Sequence, residues 1–169
     1  CSYYAFTASA KLHYEKAARR IYAAKQSDWH GNWLLVLPSF VPESHQANFK
    51  RQLHWLGFSS LSSGVFAHPS IEKQSLEETL VELGLIDAVV IFTCKILDNT
   101  SEKSLKKLVQ QRWKLDELGK EYQDFFNTYQ QLPQLPLTEQ QSFLLRTLVV
   151  HEYRRILLKD HELPPQMLP

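Results

Sequence analysis

Between residues 33 and 97 the apolar residues switch repeatedly between strand-like and helix-like spacing, with a glycine or proline near most of the switches. Trp33-Leu34-Leu35-Val36-Leu37 is a continuous apolar run that Pro38 stops, the pattern of a central strand covered by other elements. A helix follows over 44–56, where Phe49, Leu53 and Leu56 recur at i, i+4 and i+7 and Gly57 suits the C-terminal cap. Residues 58–61 and 65–68 read as a hairpin around Ser63-Gly64, closed by Pro69. A second helix, 73–83, carries Leu76, Leu80 and Leu83 and ends at Gly84. Asp87 precedes the last apolar run, 88–97.

The resulting order, β-α-β-β-α-β, predicts a ferredoxin-like module, an antiparallel four-stranded sheet with two helices on one face. From Ser101 the spacing is helical throughout, with helices expected over 102–113, 115–131 and 139–158. Leu132-Pro133-Gln134-Leu135-Pro136 is a linker that cannot be helical. Thr138 and Gln141 form a capping box at the start of the last helix. Upstream, 2–7 reads as a short strand and 10–24 as a helix capped by Thr7 or Ser9. The fold class is therefore α+β, with expected divisions at 1–26, 27–99 and 100–169.

Charge divides along the chain. Residues 1–25 carry five Lys/Arg against Glu15, residues 26–100 four basic against eight acidic, and residues 101–169 ten against nine. A basic front is where contact with nucleic acid is sought first, whereas an acidic middle suits phosphate poorly. The longest uncharged apolar run, near 88–94, is far below the roughly 20 residues a membrane helix needs. Two cysteines, Cys1 and Cys94, give neither a disulfide framework nor a CxxC metal site, and a reducing, cytoplasmic setting is the simplest expectation.

Signals for catalysis are weak. HExxH, GxSxG, P-loop and GxGxxG patterns are absent. A metal-dependent nuclease of the ferredoxin-like class needs an Asp at the end of the first strand, where this chain has Leu37-Pro38-Ser39. None of the seven histidines pair at i, i+3 or i, i+4. Trp29 and Trp33, four apart across Gly31, suit either the wall of an apolar ligand cleft or the packing of the 10–24 helix on the sheet, and packing is the commoner role for tryptophan. Arg154 and Arg155 are about 100° apart on a helix, but Arg155 and Lys159 are i, i+4 neighbours that can grip one phosphate. The competing reading is that cations simply suit a helix C-terminus.

Several segments together resemble a known family. Trp29-His30-Gly31-Asn32-Trp33 is similar to the W-D-G-x-W segment of PaaX-type transcriptional repressors of phenylacetate catabolism. Leu53-His54-Trp55-Leu56-Gly57-Phe58 resembles their L-x-W-x-G-F-G stretch. The segment from His151-Glu152-Tyr153-Arg154-Arg155 to Leu163-Pro164 and on to Pro169 resembles their H-x-Y-R-R-x-x-L-x-D-P-x-L-P-x-x-L-L-P block, with His30 standing for the usual Asp and His161 for the usual Pro. Ser2-Tyr3-Tyr4-Ala5-Phe6-Thr7 resembles the wing strand of their winged-helix domain.

The resemblance implies a non-enzymatic regulator in three parts: an N-terminal winged helix for operator DNA, a ferredoxin-like middle module, and a helical C-terminal part that takes part in homodimerisation. It implies that this chain is a fragment without the recognition helix and the extreme C-terminus, binding DNA weakly or not at all by itself. It implies release from DNA by an aryl-CoA thioester, phenylacetyl-CoA or a related acyl-CoA, in a cleft between the middle module and the helical tail. Arg154, Arg155 and Lys159 are the expected phosphate contacts, and Trp29, Trp33 and Trp113 the expected neighbours of the acyl group. No cofactor, metal or membrane partner is expected. Two readings from other classes stay open: the metal-dependent nuclease, and a purely structural dimerisation module.

Overall fold

The computed structural model describes residues 5, 7, 11, 14, 15, 18, 29–69, 73–95, 102–132, 136–161 and 163–168. Most of the predicted strand 2–7 and helix 10–24, residues 96–97 of the last predicted strand and residues 133–135 of the proline linker lie outside them. The elements run β1 (Asn32–Leu37), α1 (Glu43–Trp55), β2 (Ser59–Ser62), β3 (Val65–His68), α2 (Gln74–Glu82), a short turn of 3₁₀ helix (Ile86–Ala88), β4 (Val90–Lys95), α3 (Glu102–Arg112), α4 (Leu115–Tyr129), α5 (Glu139–Leu157) and a last 3₁₀ turn (Pro165–Met167). The strands form one sheet in the order β2-β3-β1-β4, every pair antiparallel. This is the ferredoxin-like order that the sequence predicts.

The chain divides into two compact units. The first comprises residues 1–25 and 116–160, the second residues 26–115 and 161–169. In the second unit β1 is buried from both sides. Leu34 and Val36 join Phe49 and Leu53 of α1, Phe58, Phe66 of β3, and Leu76 and Leu80 of α2 in one core. Trp33 and Ala67 join Val109, Trp113, Leu163 and Met167 in another, on which Leu35 and Cys94 also pack. Side chains alternate across a strand, so a run without polar residues requires cover on both faces. Helices α1 and α2 cover one face, and α3 with residues 163–167 covers part of the other. Phe49 meets Phe66 edge-on, with centroids 6.0 Å apart, a favoured aromatic geometry.

Both helices of the first core end in the same way. After α1, Gly57 N–H donates to the His54 carbonyl and Phe58 N–H to that of Leu53. After α2, Gly84 N–H donates to Val81 and Leu85 N–H to Leu80. These paired bonds are Schellman motifs, which place a residue at positive φ just past the helix. The accompanying apolar contact is present each time, since Phe58 with Leu53 and Leu85 with Leu80 share the core. The last strand begins later than its apolar run suggests. Ala88 belongs to the 3₁₀ turn, its N–H bonded to the Leu85 carbonyl and its own carbonyl accepting from Phe40 N–H.

Helix α3 folds back onto the second core. The Ser59 hydroxyl donates to the Arg112 carbonyl at 2.9 Å. Trp113 Nε1–H donates to the Gly57 carbonyl at 2.9 Å. Lys114 then takes a positive φ of 52°, a conformation that residues other than Gly, Asn and Asp seldom adopt. In the first unit the middle of α4 lies beside the end of α5. Helix α5 opens with the predicted capping box: Gln141 N–H donates to Thr138 Oγ1, and Thr138 N–H to Gln141 Oε1. No helix among the described residues is long and apolar enough to cross a membrane.

Gly57 is held by two constraints at once. Its φ is +93°, and a Cβ there would lie 2.9 Å from His68 Nε2. Gly57→Ala is expected to lower stability by about 2–4 kcal/mol in urea titration, a cost that combines left-handed strain with the clash. Gly64→Ala, at open space in the hairpin turn, bears the strain alone and should cost less.

Candidate functional site

The residues singled out in the sequence fall into two groups, one in each unit. In the second unit, Trp29, Trp33 and Trp113 converge from the strand approach, β1 and the end of α3. Trp33 meets Trp29 edge-on at 6.2 Å between centroids and Trp113 edge-on at 6.1 Å. Trp29 Nε1–H caps the Asn32 carbonyl at 2.8 Å. Trp33 and Trp113 are 2% and 3% exposed, so in this state the cluster is packed core and not the wall of an open cleft. Cys94 packs on the same cluster, and burial pushes its thiol above the ordinary value, away from the thiolate a nucleophile needs.

In the first unit, Arg155 and Lys159 do share one groove, as their i, i+4 spacing predicts. It has a volume of about 390 Å³ and is lined on the α4 side by Glu121, Asp124, Phe125 and Tyr129. Arg154, one residue away and about 100° around the helix, does not line it. Both lining cations are engaged. Lys159 Nζ reaches both carboxylate oxygens of Glu121 at 2.7 Å, and Arg155 pairs with Glu152 at 2.9 Å. Tyr122 adds a hydroxyl donated to Asp160 at 2.8 Å, so α4 and the end of α5 are clasped at adjacent positions. Phe125 and Tyr129 give the groove an aromatic flank, and Phe125 lies 5.6 Å from Tyr153 with the rings tilted by 39°.

These ion pairs are at least a quarter exposed on each side, and such pairs contribute at most about 1 kcal/mol each. They hold the two cations in place, yet an anion that binds more strongly can exchange for the carboxylates. With Glu121, Asp124 and Glu152 against Arg155 and Lys159, the groove carries one more formal negative charge than positive. Phosphate binding here therefore means displacing carboxylates, not filling a vacant basic pocket.

Several partners lay beyond what local spacing shows. Glu121 and Lys159 are 38 residues apart, as are Tyr122 and Asp160. His68 and His161, 93 apart, also meet: His68 Nε2–H donates to the His161 carbonyl at 3.2 Å, and the His68 ring lies 5.4 Å from that of Phe58. Among the described residues no group of three or more His, Cys, Asp or Glu is placed to hold a metal ion.

Comparison with known proteins gives both units relatives. The model of the PaaX protein central Cas2-like domain matches residues 26–106, and that of the PaaX-like protein C-terminal domain matches residues 113–169. The transcriptional repressor PaaX of Escherichia coli strain K12 is 34% identical over 160 residues, which are 91% of this chain and 51% of that protein. The chain thus spans about half the length of that curated relative. An uncharacterized protein from Mycobacterium tuberculosis has a similar solved structure, with a TM-score of 0.63 at 18% identity over 97% of this chain and 62% of that one. At that identity the likeness concerns the fold.

The two groups should respond differently to mutation. Trp113→Phe removes buried volume and leaves the Gly57 carbonyl without its donor. It is expected to cost about 2–3 kcal/mol in thermal or urea unfolding. Glu121→Gln, which releases one exposed cation, should cost less than about 1 kcal/mol.

Proposed function

This chain belongs to the PaaX family, and we propose that it is the effector-sensing and dimerising portion of a DNA-binding transcriptional repressor of phenylacetate-type aromatic catabolism. The observation that carries the reading is the 34% identity to a transcriptional repressor across nearly the whole of this chain. In this reading operator DNA is bound through an N-terminal winged helix. The sensor works in the cytoplasm, catalyses nothing, and takes phenylacetyl-CoA or a related acyl-CoA as its effector.

Recognition is proposed in two parts. Arg155 and Lys159, with Arg154 beside them, contact the CoA phosphates, which replace Glu152 and Glu121 as their partners. A phosphate presents more charge and more acceptor oxygens than a carboxylate and so makes stronger charge-assisted hydrogen bonds. Trp29, Trp33 and Trp113 receive the acyl group, which requires that packed cluster to open. The exchange at Lys159 would undo half of the clasp between α4 and α5, a change that can distinguish a liganded from a free state. Binding releases DNA only if the ligand prefers the state that cannot hold the operator; equal affinity for both states shifts nothing.

Homodimerisation is proposed through the N-terminal half of α5. Leu144 and Leu148 are 60% and 48% exposed there and line an apolar groove with Leu137, Gln141 and Leu145. Within the helix Gln141, Leu144, Leu145 and Leu148 fall at i, i+3, i+4 and i+7, the spacing of one helix face.

Isothermal titration of phenylacetyl-CoA should give saturable heat, with affinity falling on added salt. Arg155→Ala combined with Lys159→Ala should weaken binding by about tenfold or more while leaving the fold intact. Folded protein that gives no heat at millimolar ligand would refute the sensor reading.

A further inference from the structure

Trp33 carries a polar group that is buried without a partner among the described residues. Trp29 and Trp113 each donate their indole N–H to a backbone carbonyl, but Trp33 Nε1 is buried without an acceptor. A buried donor left unmade is costly, and native structures keep few of them.

Leu163 and Met167 come from a stretch that belongs to no long helix or strand, yet they are 8% and 6% exposed against the tryptophan core. The backbone bonds of this stretch among the described residues are local: Met167 N–H to the Pro164 carbonyl and Leu168 N–H to that of Pro165. Pro164 and Pro165 have no N–H to give. The bond from His68 to the carbonyl of His161 lies just before the stretch.

We propose that residues 163–168 are a displaceable strap over a concealed apolar pocket, and that Trp33 Nε1–H is the donor for the carbonyl oxygen of an acyl thioester that takes the strap's place. This rests on the sensor reading for its ligand class and adds the location and orientation of the acyl end. An aryl group can replace the cover that Leu163 and Met167 give the tryptophans. The carbonyl supplies what they cannot, an acceptor for the orphan N–H. Specificity for a thioester over a thioether follows, because only the thioester satisfies the indole.

The test uses phenylacetyl-pantetheine, which has the acyl end but not the CoA phosphates, and the matching phenylethyl thioether. Binding is measured to the wild type, to Trp33→Phe, and to the double variant Leu163→Ala with Met167→Ala. The double variant should bind the thioester about tenfold more tightly, because the competing strap is weakened. Trp33→Phe should weaken binding of the thioester about tenfold more than it weakens binding of the thioether. If Trp33→Phe does not fold, the wild type's preference for thioester over thioether decides: about tenfold supports the donor role, and none overturns it.

If phenylacetyl-CoA binds the wild type and neither variant alters its affinity, the strap is wrong and the sensor reading stands. If phenylacetyl-CoA binds no more tightly than the pantetheine ester, and both bind in a strap-dependent way, the strap stands and the phosphate contacts fall. Failure of both ligands on every variant overturns the inference.

Discussion

A single strand buried on both faces organises the second unit. β1 places Leu34 and Val36 in the core under α1 and α2, and Trp33 and Leu35 in the core under α3 and residues 163–167. Neither core can be altered without reaching the other through this strand, because close-packed interiors transmit changes of volume. Trp33 is the pivot of the second core. It is flanked edge-on by Trp29 and Trp113, and Trp113 is itself fixed to the Gly57 carbonyl at the end of α1. Gly57 cannot carry a side chain without striking His68, which anchors His161. Packing, backbone conformation and the last described segment are thereby linked through a few contacts.

Much of this architecture is legible in the sequence because local chemistry and the tertiary outcome agree. The continuous run at 33–37 signalled a central, covered strand, and the two cores show the cover to lie on both faces. Gly57 and Gly84 signalled helix ends, and both complete Schellman motifs. Thr138 and Gln141 signalled the cap of α5, and both capping bonds form. The order of strands and helices follows from these signals. Less legible was the fate of 102–112. Its helical period is plain, but period does not say which surface a helix will cover, and Val109 with Trp113 buries it on the sheet.

The candidate site was legible in part. Arg155 and Lys159 line one groove, as i, i+4 neighbours do, and Glu152 is a local i, i+3 partner of Arg155, but nothing local reveals that Glu121 holds Lys159. Likewise the pair Trp29 and Trp33 is visible as a pair, while the addition of Trp113, Leu163 and Met167 depends on long-range folding. The orphaned indole of Trp33 has no sequence signature, since any tryptophan in a strand looks the same until its neighbours are known. Functional reading thus turns on features that break the usual rules: a donor without an acceptor, and cations whose partners are weak enough to be exchanged.

The central claim is that this domain captures an acyl-CoA and changes as it does so. The most direct measurement is the ¹⁵N-indole NMR spectrum of the wild-type protein, which holds four tryptophans, during titration with phenylacetyl-CoA. The account predicts a saturable shift of the Trp33 indole resonance to lower field as its N–H gains an acceptor, with smaller shifts at Trp29 and Trp113 and little at Trp55. A spectrum that stays unchanged to millimolar ligand, or that changes only at Trp55, would contradict it.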